Sequence, residues 1–173
     1  TLDRFPSLDS GVIGEGEAPL LEFLDRLSTR GPMDDLRGLV WRDPDGRPQV
    51  NAPRPLIGEL DDLPLPAWDL LPNFPDAYPL SVLETKRLPA AAIITSRGCP
   101  FSCTFCDSRV FGHSLRAHSV EYTMNMIRFL RQRYGIRDLM MLDDNFILRP
   151  QRLFAICDAM IDERLGLQWY CMG

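Results

Sequence analysis

Ala91-Ala92-Ile93-Ile94-Thr95-Ser96-Arg97-Gly98-Cys99-Pro100-Phe101-Ser102-Cys103-Thr104-Phe105-Cys106 is a short apolar run that empties into a Cys-x3-Cys-x2-Cys cluster. The run reads as a buried strand delivering the cysteine loop, because it is brief, apolar and followed by a glycine and a proline. A 4Fe-4S cube has four iron corners and usually takes four cysteine ligands, so a compact trio points to a cluster that keeps one iron open for a substrate. Two other readings of the same residues stand beside it. Cys103 and Cys106 could form a thioredoxin-like dithiol whose thiolate is stabilised by a helix N-terminus, which leaves Cys99 without a role. A structural zinc site of Cys3His type would have to recruit His113 or His118 across an irregular loop.

Downstream, strand and helix alternate. Ser119 caps an expected helix whose apolar positions Val120, Met124, Ile127, Leu130 and Tyr134 recur at spacings of four and three, with Gly135 at its end. Asp138-Leu139-Met140-Met141-Leu142 reads as a second strand running into Asp143-Asp144-Asn145. A second helix starts near Pro150, carries Leu153, Cys157, Met160 and Ile161 on one face and stops at Gly166; a third strand covers Leu167 to Cys171. Repeated strand-helix units imply a parallel sheet of α/β class, with chemistry at the carboxyl ends of the strands, where the cysteine loop and the Asp pair both lie. Cys157 reads as a small buried hydrophobe. Cys171 points to the same mouth as the cysteine trio in one register and to the helices in the other. His113 and His118 read as solvated loop or cap residues, and Arg97, Arg109 and Arg116 as candidates for contacting anionic groups.

Upstream, Gly11-Val12-Ile13-Gly14-Glu15-Gly16-Glu17 is a strand ending in glycines, followed by a helix with Pro19 in its first turn and Gly31 as its stop. Glycines at a strand-to-helix turn let the backbone approach a ligand and leave helix amides free for an anion, although a tight turn alone also selects them. Residues 38–50 read as a hairpin around Asp43-Pro44-Asp45-Gly46. Ten of the fifteen prolines fall between Pro44 and Pro89. Such density forbids long helices and central strands, while the leucines and Trp68 within it imply a packed strap joining two domains.

The chain has 173 residues, 45% apolar and 25% charged, which is material for one ordinary globular domain. It begins at Thr1 and closes inside Leu167-Gln168-Trp169-Tyr170-Cys171-Met172-Gly173, so both ends read as cuts through a larger protein. No apolar run is long enough to span a membrane and no leader opens the chain, from which a cytoplasmic setting is expected. Five cysteines, three of them clustered, argue for a reducing compartment and against a disulfide framework. A net charge of −5 disfavours a nucleic-acid partner.

The loop Ser96-Arg97-Gly98-Cys99-Pro100-Phe101-Ser102-Cys103-Thr104-Phe105-Cys106 resembles the signature of the radical S-adenosylmethionine (SAM) superfamily. That resemblance makes Cys99, Cys103 and Cys106 the 4Fe-4S ligands, sets Phe105 beside the adenine of SAM, and sets Asp143 and Asp144 where members often carry a Gly-Gly-Glu-like segment for the SAM ammonium group. It also implies reductive cleavage of SAM to a 5'-deoxyadenosyl radical. Taken with Val12-Ile13-Gly14-Glu15-Gly16-Glu17, the hairpin and Leu60-Asp61-Asp62-Leu63-Pro64-Leu65-Pro66-Ala67-Trp68-Asp69, the chain is similar to the domain junction of cobalamin-binding radical SAM enzymes. The implied layout is the last strand and helix of a Rossmann-like cobalamin domain in residues 1–31, a hairpin and proline-rich linker in 32–89, and the N-terminal part of a partial (βα)6 TIM-like barrel in 90–173. Gly14, Glu15, Gly16 and Glu17 would then lie near the nucleotide tail of cobalamin. The implied activity is methyl transfer to an unactivated centre of a small molecule, with flavodoxin or ferredoxin as electron donor. A radical SAM cyclase, rearrangement enzyme or methylthiotransferase, and a non-catalytic iron-sulfur electron carrier, are the alternatives.

Overall fold

Asp43-Pro44-Asp45-Gly46 reverses the chain with its own side-chain chemistry. Asp43 Oδ1 accepts hydrogen bonds from the amides of Asp45 (3.0 Å) and Arg47 (2.8 Å), Oδ2 accepts from Gln49 Nε2 (2.8 Å), and Gly46 takes a φ of +78° that side chains disfavour. The turn joins two strands of a three-stranded antiparallel sheet, β1 (Ser10–Val12), β2 (Leu39–Arg42) and β3 (Pro48–Val50), in that order. The first strand and the hairpin, separate units in the sequence, are therefore neighbours, with Ser10 opposite Trp41 and Val12 opposite Leu39. Helix α1 (Glu17–Thr29) follows β1 and carries Pro19 in its first turn. Its stop lies one residue before the expected Gly31. Arg30 adopts the left-handed conformation (φ 54°) and its amide bonds the carbonyl of Arg26, which also accepts from the amide of Gly31 (2.9 Å).

The computed structural model describes residues 2–81, 85–107 and 111–172. These fold as two units, Thr1–Ile57 with Cys103–Gly112, and Gly58–Ser102 with His113–Gly173. The second unit begins in the proline-rich stretch. Leu60–Asp62 and Trp68–Leu70 are single 3-10 turns, with Leu63 extended after the first and no regular element between them. Leu60 and Trp68 are buried, and the Trp68 ring stacks on Phe129 at 5.8 Å. In this unit the stretch is a packed strap, as its apolar residues demand.

Strands β4 (Ala90–Ile93), β7 (Asp138–Met141) and β8 (Gln168–Cys171) form a parallel sheet in that order. A two-stranded antiparallel ribbon, β5 (Ser96–Arg97) with β6 (Arg116–Ala117), lies between β4 and the next helix in sequence. Two residues per strand carry no hydrophobic period, so this ribbon is invisible to sequence patterning. Parallel pairing needs long crossovers, supplied by α2 (Val120–Tyr134) and α3 (Pro150–Asp162). In register, Ala91, Leu139 and Trp169 form one row and Ile93, Met141 and Cys171 the next. Both rows pack with Met124, Ile127, Leu130, Ile156 and Met160 of the two helices. This register places Cys171 on the helix-facing side of the sheet.

Helix α2 begins and ends as expected. Ser119 Oγ accepts from the amide of Tyr122 (3.0 Å), and Gly135 takes φ 65°. Helix α3 ends at Asp162, before the expected Gly166, which instead turns the chain into β8 with φ 62°. Its buried face also differs: Ile156 is fully buried whereas Ile161 is 69% exposed. Apolar residues occur all round this helix, so its phase is set only by the sheet beneath it. At the start of β7, Asp138 is buried and its Oδ2 accepts from the amides of Lys86 (2.7 Å) and Arg87 (3.2 Å). Among the described residues no helix is long and apolar enough to cross a membrane.

Two substitutions test this packing by denaturant unfolding. Ser119→Ala should lower stability by about 1 kcal/mol through loss of the cap while Ser119→Asn, which caps without setting a second charge beside Asp61, stays near wild type. Trp68→Ala should lower it by about 3–5 kcal/mol if the strap is part of the core.

Candidate active site

Strand β4 ends at Ile93, and the residues after it are held from several sides. Asp143, which follows β7, has no exposed surface. Its Oδ1 accepts from the Thr95 amide (2.5 Å), and its Oδ2 accepts from Thr95 Oγ1 (2.6 Å) and Ser96 Oγ (2.8 Å). The Thr95 carbonyl accepts from the amide of His118 (2.9 Å) and from Arg152 Nη2 (3.0 Å). Arg152 also donates to the His118 carbonyl (2.8 Å) and to Thr123 Oγ1 (3.1 Å), tying α3 to the entrance of α2. Burial lowers the Arg152 pKa, and the Asp143 charge opposes that. The expected pairing of Asp143 with Asp144 as ammonium ligands divides here. Asp143 is turned into the protein with both oxygens engaged, whereas Asp144 is exposed and accepts from the Gly98 amide through Oδ2 (3.0 Å).

Gly98 leads directly into Cys99, which is half-buried in the second unit. Cys103 and Cys106 belong to the first unit, are exposed, and are linked by a bond from the Cys106 amide to the Cys103 carbonyl (3.1 Å). All three are free thiols. Phe105 is 92% exposed. Within neither unit do three His, Cys, Asp or Glu side chains among the described residues converge as ligands of a single metal ion.

His118 is neither solvated nor available to a zinc ion in this arrangement. It is 7% exposed, its Nδ1 lies 3.0 Å from Asp61 Oδ1, and its ring stacks on Tyr122 at 4.0 Å. Asp61 also accepts from the Ser119 amide (3.0 Å), so the strap is pinned to the start of α2. Burial lowers the His118 pKa and outweighs the opposing Asp61 carboxylate, with the Arg97 and Arg152 charges adding to the burial effect. Asp61, Thr95, Ser96 and Arg152 were not legible as site residues, because their partners lie tens of positions away in sequence. Cys157 and Cys171 are half-buried, and burial raises both thiol pKa values. Arg97 and Arg116 face each other across the β5–β6 ribbon, while Arg109 lies outside the described residues. His113 is exposed.

In the first unit, Gly14 is exposed with φ +89°, and a Cβ placed on Gly14 or Gly16 would meet no atom within 4 Å. Glu15 is buried and its Oε2 accepts from the Ile57 amide (2.6 Å), which braces the turn. Glu17 opens α1.

Residues 93–172, which run from the end of β4 to the end of β8, match the family model described as the radical SAM superfamily. This part of the chain belongs to that superfamily. An uncharacterized methyltransferase of Pyrococcus horikoshii is 36% identical over 170 residues, covering 98% of this chain and 35% of the relative. The cytidylyl-2-hydroxyethylphosphonate methyltransferase of Streptomyces wedmorensis is 32% identical over 188 residues, covering 95% and 35% respectively. Among solved structures, the cobalamin-dependent S-adenosylmethionine radical enzyme OxsB, with aqua-cobalamin and S-adenosylmethionine bound, superposes with a TM-score of 0.74 at 25% identity, over 97% of this chain and 23% of that one. The chain thus spans about a third of the length of these curated relatives.

Thiol exposure in the radical SAM domain and its loop predicts a labelling order. In the metal-free protein at pH 8, alkylation followed by mass spectrometry should mark Cys103 and Cys106 at least roughly tenfold faster than Cys157 and Cys171. The buried His118 predicts a pH dependence. Its proton is bound more weakly in the folded state than in the unfolded state, where it titrates near 6.5. Its contribution is therefore intact above that value and is lost as pH falls through it toward the folded pKa. The melting temperature should drop between about pH 7.5 and 5.5, and His118→Gln should flatten that drop.

Proposed function

We propose that this chain is part of a radical SAM enzyme that uses cobalamin to methylate an unactivated centre of a small molecule. The observation that carries the reading is the donor set: three free thiols that follow the end of β4 within the matched residues. Cys99, Cys103 and Cys106 would hold a 4Fe-4S cluster. When bound, the cluster with its open iron supplies the electron that splits SAM into methionine and a 5'-deoxyadenosyl radical, and cobalamin supplies the methyl group.

The chain's own residues take separate tasks. Asp144, exposed and anchored through Gly98, presents a carboxylate for the SAM ammonium group. Phe105, unclaimed by any core, is available to the adenine. Gly14 and Gly16 leave space in which a cofactor tail can approach the backbone, and Glu15 braces that turn from within; Glu17 stands at the head of α1. Residues 1–31 are then the end of a cobalamin domain, 32–89 the interdomain linker, and 90–173 the opening part of a (βα)6 barrel whose strand ends face the cofactors. The free thiols suit a reducing, cytoplasmic setting, and a flavodoxin or ferredoxin would deliver the electron. The methyltransferase names of the P. horikoshii and S. wedmorensis relatives favour methyl transfer over cyclisation.

The full-length protein, purified anaerobically and reconstituted, should hold about four iron and four sulfide per chain and lose them when all three cysteines become alanine. With SAM and a strong reductant it should release 5'-deoxyadenosine, and Asp144→Ala should weaken SAM binding roughly tenfold or more. Iron retained by the triple variant, or zinc in its place, would overturn the reading.

A further inference from the structure

We propose that Asp143 is the positioning residue of the cysteine loop, a buried carboxylate that aims Cys99 by gripping the loop at its root. The proposal rests on the reading of Cys99 as a cluster ligand. A carboxylate with no exposed surface is disfavoured unless hydrogen bonds satisfy it, and Asp143 is satisfied by one short segment. Its oxygens take the Thr95 amide, the Thr95 hydroxyl and the Ser96 hydroxyl. The remaining polar group of Thr95, its carbonyl, is held by the His118 amide and by Arg152. Every polar atom of Thr95 is thus tied to another part of the second unit. Two residues after Ser96, the Gly98 amide is tied to Asp144 Oδ2.

Pro100, Phe101 and Ser102 are all exposed. The direction in which the first thiolate leaves the sheet is therefore set between Thr95 and Gly98, by Asp143 and Asp144 after β7 together with the β5–β6 pairing and Arg152. Hydrogen bonds to an ionised acceptor are shorter than neutral ones and roughly twice as strong, which suits a device that must hold a ligand in place.

The same strand carries its own control. Asp138, at the opposite end of β7, is also buried and also binds a neighbouring segment, through the Lys86 and Arg87 amides. That segment bears no cysteine. If Asp143 merely stabilises the fold, Asp143→Asn and Asp138→Asn should act alike. If it positions Cys99, the two variants should part in their effect on the cluster.

The test uses the full-length, anaerobically reconstituted protein with each asparagine variant and with Thr95→Val, which keeps volume and removes one hydroxyl bonded to Asp143. Thermal midpoint, rate of iron loss to a chelator, and the electron paramagnetic resonance spectrum of the reduced cluster with and without SAM are measured. Both asparagine variants should melt earlier. Only Asp143→Asn should accelerate iron loss, roughly tenfold, and alter the spectrum, with Thr95→Val intermediate. A wild-type lifetime and spectrum in Asp143→Asn, or equal acceleration in Asp138→Asn, overturns the proposal. If Asp143→Asn does not fold, Thr95→Val decides: a wild-type lifetime and spectrum overturn the proposal. A wild-type protein that binds no iron sinks the functional reading and this proposal together, whereas a sound wild-type cluster untouched by Asp143→Asn sinks this proposal alone.

Discussion

Parallel pairing is the constraint on which the second unit depends. Strands that run the same way cannot be joined by a tight turn, so β4, β7 and β8 require the crossovers that α2 and α3 supply. The same geometry makes the chain leave every strand at one end of the sheet. Residues just past β4 and β7 are thus brought together from positions almost fifty apart in sequence, with Thr95 and Asp143 in direct contact. A hydrogen-bonded carboxylate can then do at this point what no local sequence feature could.

The two faces of the sheet are treated unequally. One face presents Ala91, Ile93, Leu139, Met141, Trp169 and Cys171 to the helices and carries the core. Its rows are complete because the register is specified by burial, and a one-residue slip would bring Met140 and Asp138 into the apolar layer. The strap adds the outer contribution, with Trp68 stacked on Phe129 of α2 and Asp61 bound to His118 and the Ser119 amide. A proline-rich segment can serve this way because it has few amides to satisfy and offers its leucines and tryptophan as packing surface.

Polar groups in the second unit fall into two sorts. Asp138, Asp143 and His118 are buried and bonded, and each joins segments distant in sequence. Asp144 is exposed, and Cys99 is half-buried with its thiol free. In the first unit Cys103, Cys106 and Phe105 are likewise not consumed by packing. In the second unit, buried bonded groups hold the backbone from which Asp144 and Cys99 project, and precision at such side chains comes from the shell that supports them.

Much of this was legible in the chain itself. Local rules determine the Asp43–Gly46 turn, the Ser119 cap, the Gly135 stop and the alternation of strand and helix, because each depends on residues a few positions apart. The cysteine spacing is equally local, and it pointed to the superfamily that residues 93–172 match. What the sequence could not decide was phase and partnership. Helix α3 has apolar residues on all sides, so only the sheet chose Ile156 over Ile161; Cys171 faced the helices because β8 took its register from β7. Adjacent aspartates look equivalent in a string of letters. Tertiary structure separates them, because Asp143 lies against Thr95 and Ser96 while Asp144 reaches Gly98 from the exposed side, and such long-range contacts exist only once the parallel strands have paired.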